Sequence, residues 1–190
     1  MNTQTHLLLA AFALGKKATP RERHAILVGA VLPDLSIFVM TLTGVLQGRS
    51  GEDLWTQMYW SEPWQTLSAV SNSVFLWVAV AALGFAIGWR WLGLLGAAAL
   101  LHLAFDVPFH ADDAHRHLWP VSEARWHSPL SYWDRDHYGL WVSLAEAAGG
   151  LALAAALWRR HAGRWARAAL ALCALAYLLV PIFWLVSLGG

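Results

Sequence analysis

The stretch WLGLLGAAALLHLAFDVP, residues 91–108, decides how the rest of the chain is interpreted. It is almost wholly apolar, yet it contains His102 and Asp106. A helix that crosses a bilayer needs about 20 predominantly apolar residues. An ionisable side chain inside the hydrocarbon region costs roughly 2.5–3.5 kcal/mol on insertion scales. This segment therefore predicts a membrane helix whose two polar side chains must have a purpose.

The composition of the whole chain favours the same environment. Of its 190 residues, 58% are hydrophobic and only 13% are charged, whereas a soluble domain usually has about 25% charged residues. The 13 Trp suit the membrane–water interface, where an indole ring is buried while its N–H stays hydrated. A net charge of +1 provides no basic surface, so we expect membrane lipids and not nucleic acid as partners.

Apolar runs predict an all-α, polytopic membrane helix bundle that forms a single domain over residues 1–190. Residues 1–15 are a shorter element, which is either a short span packed among the others or an interfacial helix. Residues 47–70 are expected to form an interfacial helix, and residues 109–137 a His/Asp-rich external loop that holds five of the nine His. The five predicted spans cover approximately residues 24–46, 71–89, 91–108, 138–158 and 166–188.

Orientation follows from the rule that short cytoplasmic loops carry an excess of Lys and Arg. If the loop that contains Lys16 and Lys17 is cytoplasmic, alternating spans place nine of the 13 cations on that side. The His-rich loop then faces the exterior.

Asp34 and His102 are predicted to lie at the same depth in the membrane. Each is about ten residues into a span that starts from the cytoplasmic side, and Pro33 is expected to kink the first of these spans. His102, Asp106 and His110 are spaced i, i+4 and i+8, so they share one helical face. A His and an Asp at i, i+4 can chelate one divalent ion, much as the two His of H-E-x-x-H do.

The loop that follows offers further ligands, because the pair His115-x-His117 suits two ligands from an extended segment. Imidazole with carboxylate suits zinc, and also manganese or iron. Asp106 or Asp112 is then the candidate general base. Purely structural roles are the alternatives. His102 and Asp106 form a hydrogen-bonded pair, Asp34 caps the half-helix after Pro33, and Glu146 is a structural partner of a His or Trp.

Three motifs in this order resemble those of the bacterial inner-membrane metal-dependent hydrolase family. They are Thr5-His6-Leu7-Leu8, the segment GAVLPD at residues 29–34, and HLAFD at residues 102–106. The resemblance covers roughly residues 1–110. A more distant likeness links His102, Asp106, Pro108 and His110 to the ligand string of zinc-dependent phospholipase C.

The resemblance implies a multi-pass protein of the bacterial inner membrane that hydrolyses an ester or phosphoester, including that of a lipid. It implies a divalent metal, with zinc as the first choice, held by His6, Asp34, His102 and Asp106.

One position departs from the family pattern, because Asn72 stands where the family has a His. Three interpretations follow: Asn72 is a weak ligand, His110 or His115 supplies the missing imidazole, or the site no longer binds a catalytic metal.

Two other functions compete with a hydrolase. Abundant Trp and small-residue helix faces also suit a non-catalytic small subunit of a larger membrane complex. A transporter that uses Asp34, His102 and Glu146 is a third hypothesis, which the absence of two similar halves in the sequence disfavours.

Overall fold

A computed structural model of the chain describes residues 1–180 together with residues 182 and 184. Within these residues all regular structure is helical, which confirms the predicted all-α class. Short helical segments cover Gly51–Asp53 and Leu54–Met58. The longer helices are α1 (Thr3–Leu14), α2 (Pro20–Val31), α3 (Leu35–Leu46), α4 (Glu62–Ser71), α5 (Val74–Ala86), α6 (Arg90–Asp106), α7 (Gly139–Arg160) and α8 (Arg164–Ala176).

Four helical stretches are long and apolar enough to cross a membrane: Pro20–Leu46, Glu62–Ala86, Arg90–Phe109 and Gly139–Arg160. The fifth predicted span, over residues 166–188, begins within α8, and part of its second half lies outside the described residues.

The second spanning stretch begins at Glu62, nine residues before the predicted start at 71. Trp55, Tyr59, Trp60 and Trp64 indicated an interfacial helix over residues 47–70. The Gln65 and Ser68 side chains, in the part that belongs to the span, are buried.

Two helix interruptions lie next to each other inside the bundle. Pro33 occupies a short 3₁₀ turn, Leu32–Asp34, between α2 and α3, as its ring and missing N–H require. Asn72 and Ser73 separate α4 from α5, and Ser73 caps the start of α5. The Asn72 side-chain amide donates a hydrogen bond to the Pro33 carbonyl at 3.3 Å, which ties the two interruptions together.

Helix α6 is central, because α2 and α5 pack along it on glycine contacts. A Cβ added to Gly29 would lie 2.2 Å from the Leu95 carbonyl oxygen, and one added to Gly84 would lie 2.2 Å from the Gly93 nitrogen. The backbones therefore approach as closely as small residues in membrane helices allow. Helix α1 packs against α2, α6 and α7, so it is a short helix among the others and not an interfacial one.

The charges of the bundle separate into two ends. At the first, Arg90 Nε lies 3.0 Å from Glu22 Oε1, and Arg160 donates to the Phe12 carbonyl. We call this the cationic end, and it carries Lys16, Lys17, Arg21, Arg23, Arg90, Arg159, Arg160, Arg164 and Arg167. The opposite end, formed by the loop 110–137 and the helix termini beneath it, we call the histidine end.

Candidate metal centre

Three buried side chains meet between α1 and α6: His6, His102 and Asp106, each 1% exposed. Each offers one ligand atom, and these atoms lie within 4.8 Å of one another. His6 Nε2 is 3.3 Å from Asp106 Oδ1, and His102 Nε2 is 3.9 Å from Asp106 Oδ2. The i, i+4 spacing on α6 places His102 and Asp106 on one face, and packing of α1 against that face brings His6 to them. This buried group could hold a metal ion.

Asp34 joins the same cluster from the interruption after α2. Its Oδ1 lies 3.5 Å from His102 Nε2, and its Oδ2 accepts a hydrogen bond from Thr3 Oγ1 at 2.5 Å. Asp34 and His102 therefore lie next to each other, as two side chains at the predicted common depth could. Thr3 had no signal in the sequence, since its contact with Asp34 depends on how α1 packs.

The orientation of His102 makes it ready to act as a ligand. Its Nδ1 lies 2.7 Å from the Ala30 carbonyl oxygen, and because a carbonyl can only accept, Nδ1 carries the proton. In the neutral ring, Nε2 then has a free lone pair, and it has no hydrogen-bond partner. That lone pair faces the Asp34 and Asp106 carboxylates. The nitrogen and the carboxylate oxygens are all hydrogen-bond acceptors, and among the described residues no donor lies between them. A cation resolves this conflict, and histidine ligands are usually oriented through the second nitrogen in this way.

The His6 ring stacks on the His102 ring, with centroids 3.5 Å apart and planes 14° from parallel. Two stacked imidazolium ions would repel each other strongly at this distance. The donor set therefore fits one shared divalent cation better than protonation of both rings. His6 Nδ1 is also buried and has no hydrogen-bond partner.

A second buried group consists of Asp106, His110 and His115, whose ligand atoms again lie within 4.8 Å of one another. His110 Nε2 is 2.9 Å from Asp106 Oδ2. Helix α6 ends at Asp106, as expected ahead of Pro108, but the turn that follows brings His110 back to the helix end. His115 Nδ1 lies 3.0 Å from Ser68 Oγ of α4, which fixes its ring.

The pKa values of His110 and His115 shift in opposite directions. Burial alone would lower the pKa of His110, but the adjacent Asp106 carboxylate outweighs it, and with Asp113 raises the pKa to about 9. Burial, and then the charge of His110, lower the pKa of His115 to about 3. The raised pKa favours the protonated form of His110 and the lowered pKa favours the neutral form of His115. A metal ion here would compete with a proton on His110.

Asp113, and not Asp112, is the loop carboxylate next to this cluster. Asp113 Oδ2 lies 2.9 Å from His110 Nδ1. Asp112 is exposed and belongs to a separate surface group with Asp134 and His137. The spacing of three residues from His110 to Asp113 was the available signal, because i, i+3 residues meet in a turn.

Asn72 acts as a structural link in this geometry. Its side-chain amide donates to the carbonyls of Pro33 and Ser68, and its own carbonyl lies 3.1 Å from His117 Nδ1. Because Asn72 is used in these hydrogen bonds, the arrangement favours the interpretation in which His110 or His115 replaces the histidine that the family has at position 72.

Glu146 is a structural residue, as expected, and among the described residues its hydrogen-bond donors are Asn2 and Thr5 in place of the expected His or Trp. It accepts hydrogen bonds from the Asn2 backbone N–H at 2.6 Å, from the Asn2 side chain at 3.0 Å and from Thr5 Oγ1 at 2.6 Å. Glu146 therefore anchors the start of α1 and with it the position of His6. The Met1 amino group also contacts Asp106 Oδ1.

Comparison of the chain with protein-family models, curated proteins and solved structures finds no match. The family resemblance of the three motifs stays a prediction, and the functional argument depends on the geometry of the cluster.

An apolar groove of about 650 Å³ begins beside the metal cluster. Phe105 and Phe109, which line it, are the sequence neighbours of Asp106 and His110. The groove continues along α7 from Trp141 to Leu153. At 1.5 Å per residue that is about 18 Å.

Proposed function

We propose that this chain is a metal-dependent hydrolase of the bacterial inner membrane that cleaves an ester or phosphoester bond of a membrane lipid. One observation carries the proposal: the buried, unpartnered Nε2 of His102 faces the Asp34 and Asp106 carboxylates under the His6 ring. Zinc is the first choice, since it takes imidazole and carboxylate ligands. A metal ion bound here would lower the pKa of a water to about 7 and polarise the oxygen of the scissile group.

The side chains divide the remaining tasks. His6, His102, Asp34 and Asp106 would hold the ion, while the Ala30 carbonyl fixes the His102 ring. Asp113 takes the general-base role that the sequence suggested for Asp112, because its buried Oδ1 has no hydrogen-bond partner and can accept a proton.

The groove supports a lipid as the substrate. One leaflet of a bilayer is about 15 Å of hydrocarbon, half of the ~30 Å core. The groove follows α7 over a similar length and starts at residues adjacent to Asp106 and His110. An acyl chain in the groove would thus place the ester or phosphoester at the cluster. The charge asymmetry of the two ends favours a cytoplasmic cationic end and a histidine end on the outer side.

The test of function uses protein in lipid nanodiscs, with bound metal measured by elemental mass spectrometry and hydrolysis measured on ester and phosphodiester lipids. We expect His102→Ala and Asp34→Ala to lose bound metal and hydrolysis, and His161→Ala, at the cationic end, to retain both. Unchanged metal content in both site variants would contradict the site. A metal-free chain that leaves the membrane only within a stoichiometric complex would instead support the non-catalytic subunit.

The test of the lipid groove uses Gly149, because a Cβ added there meets no atom within 4 Å. Gly149→Leu should fill the groove and lower turnover of long-chain lipids at least several-fold, while turnover of a short water-soluble ester stays the same. Ala152→Leu is the matched control, since Ala152 is exposed on α7 and does not line the groove. Equal loss on both substrates would argue against an acyl chain in the groove.

A further inference from the structure

We propose that the histidine end binds two metal ions that share Asp106 as a bridging carboxylate. His6 and His102 would hold the first ion, and His110 and His115 the second. This inference rests on the proposed function, because it concerns the same site, and it changes the stoichiometry of that site from one ion to two.

The first argument is the direction of the two Asp106 oxygens. Oδ1 lies 3.3 Å from His6 Nε2, whereas Oδ2 lies 2.9 Å from His110 Nε2. The two oxygens therefore have different nearest histidines, His6 for Oδ1 and His110 for Oδ2, and His102 Nε2 lies farther away, 3.9 Å from Oδ2. A carboxylate that bridges two metal ions presents one oxygen to each, and such ions are about 3.5–4 Å apart.

The second argument is the number of donors. His6, Asp34, His102, Asp106, His110 and His115 all converge here, which is more than the four ligands that tetrahedral zinc accepts.

The third argument is that buried polar atoms without a hydrogen-bond partner occur on both sides of Asp106. His6 Nδ1 and His102 Nε2 lie on one side, and His110 Nδ1 and Asp113 Oδ1 on the other. His110 Nδ1 is 2.9 Å from Asp113 Oδ2 but lacks hydrogen-bond geometry. Such atoms are rare in native proteins, and here they occur in both groups of ligands and not in one alone.

The fourth argument is that each group contains a histidine fixed through Nδ1. The Ala30 carbonyl holds His102 Nδ1 at 2.7 Å, and Ser68 Oγ holds His115 Nδ1 at 3.0 Å. The carbonyl leaves His102 Nε2 as the ligand atom, and His115 Nε2 is a ligand atom in the tautomer in which Nδ1 donates to the hydroxyl. A second hydrogen bond of this kind typically orients a metal-binding histidine.

The test loads nanodisc-embedded protein with Mn²⁺ after chelation and counts ions per chain, while electron paramagnetic resonance reports magnetic coupling between them. A purification tag belongs at the C-terminal side, because the Met1 amino group contacts Asp106. We expect two ions per chain with an exchange-coupled spectrum. Saturation at one ion per chain, or two uncoupled ions, would overturn the proposal.

Variants assign the ions to their groups. His115→Ala and His6→Ala should each retain one ion with an uncoupled spectrum, and the retained ion shows that the variant is folded. A double variant, Asp112→Asn with His137→Ala, removes the surface group and should retain both coupled ions. Loss of one ion in this control would place the second ion at the surface and overturn the proposal.

The outcomes separate this inference from the proposed function. Two coupled ions without any ester or phosphoester hydrolysis would support the bridged pair of ions and contradict the proposed hydrolase function. Hydrolysis by a chain that saturates at one ion would do the reverse.

Discussion

The two ends of the bundle use charged residues in opposite ways. At the cationic end, Arg90 is 68% exposed on its side chain and pairs with Glu22 at the rim of α2. At the histidine end, Asp106 and His102 are each 1% exposed and several of the surrounding polar atoms have no hydrogen-bond partner.

The difference separates orientation from chemistry. Exposed ion pairs contribute about 0–1 kcal/mol to stability, so the cationic end gains little from any single contact and serves mainly to set topology. A buried charge costs several kcal/mol unless it is fully compensated. The histidine end carries that cost in a place where hydrophobic side chains would have been cheaper, which is the physical reason to assign function there.

The largest effect is expected at Asp106. Asp106→Asn should abolish metal binding and hydrolysis, and it should lower the free energy of unfolding by about 3–5 kcal/mol, because it breaks the buried contact of 2.9 Å between Asp106 and His110. Elemental analysis and unfolding in detergent measure both. An Asp106→Asn variant that keeps its metal and its stability would show that the charged residues at the histidine end are as dispensable as those at the cationic end.

Glu146 comes next, since it holds the start of α1 through three hydrogen bonds. Glu146→Ala should cost about 3 kcal/mol, as hydrogen bonds to a charged group are worth about 1.5–3 kcal/mol each and are not additive. It should also weaken metal binding about 10–100-fold by releasing His6.

Glu146→Gln keeps one acceptor oxygen and should recover part of both losses. Glu22→Gln at the cationic end is the matched control, and its metal affinity should equal that of the wild type. Calorimetric titration with metal measures the affinities. An equal loss of metal affinity in Glu146→Ala and Glu22→Gln would show that the two ends do not differ in their effect on the site.

Gly29→Val should have an intermediate effect. Its side chain would overlap the Leu95 carbonyl, so α2 and α6 must separate at a cost of about 1–3 kcal/mol. Separation also moves the Ala30 carbonyl away from His102 and should lower metal affinity.

Gly163→Ala provides the comparison at the cationic end, because a Cβ there meets no atom within 4 Å. Its unfolding midpoint and bound metal should match the wild type. If Gly29→Val behaves in the same way, close helix contact does not position the site.

The smallest effect is expected at Arg90. Arg90→Gln should change the free energy of unfolding by less than about 1 kcal/mol, because the Arg90 side chain is 68% exposed and salt screens its attraction to Glu22. Metal content should stay the same. A loss above 2 kcal/mol would show that the cationic end also stabilises the fold.

Much of the fold and the centre of the site could be predicted because both depend on regular geometry. Span length and helical period placed Asp34, His102 and Asp106 together, and the motif order added His6. Contacts of the loop could not be predicted in this way. Asp113 replaces Asp112 beside His110, and Ser68 holds His115, because irregular segments follow a path that only tertiary packing determines. The earlier start of the second span was also missed, since the aromatic residues from Trp55 to Trp64 favoured an interfacial helix up to residue 70.

The amide of Asn72 that joins the two helix interruptions has a mechanical consequence. Helices bend most easily where their hydrogen-bond ladder is already broken, and here two neighbouring helices are broken at one level. The segments beyond the break, α3 and α4, pack on each other and are expected to swing as one flap. The α2–α6–α5 block stays closed by its glycines. Ser68 belongs to this flap, so movement of the flap would break or form the contact between Ser68 and His115. The flap would thereby control the half of the site that contains His115.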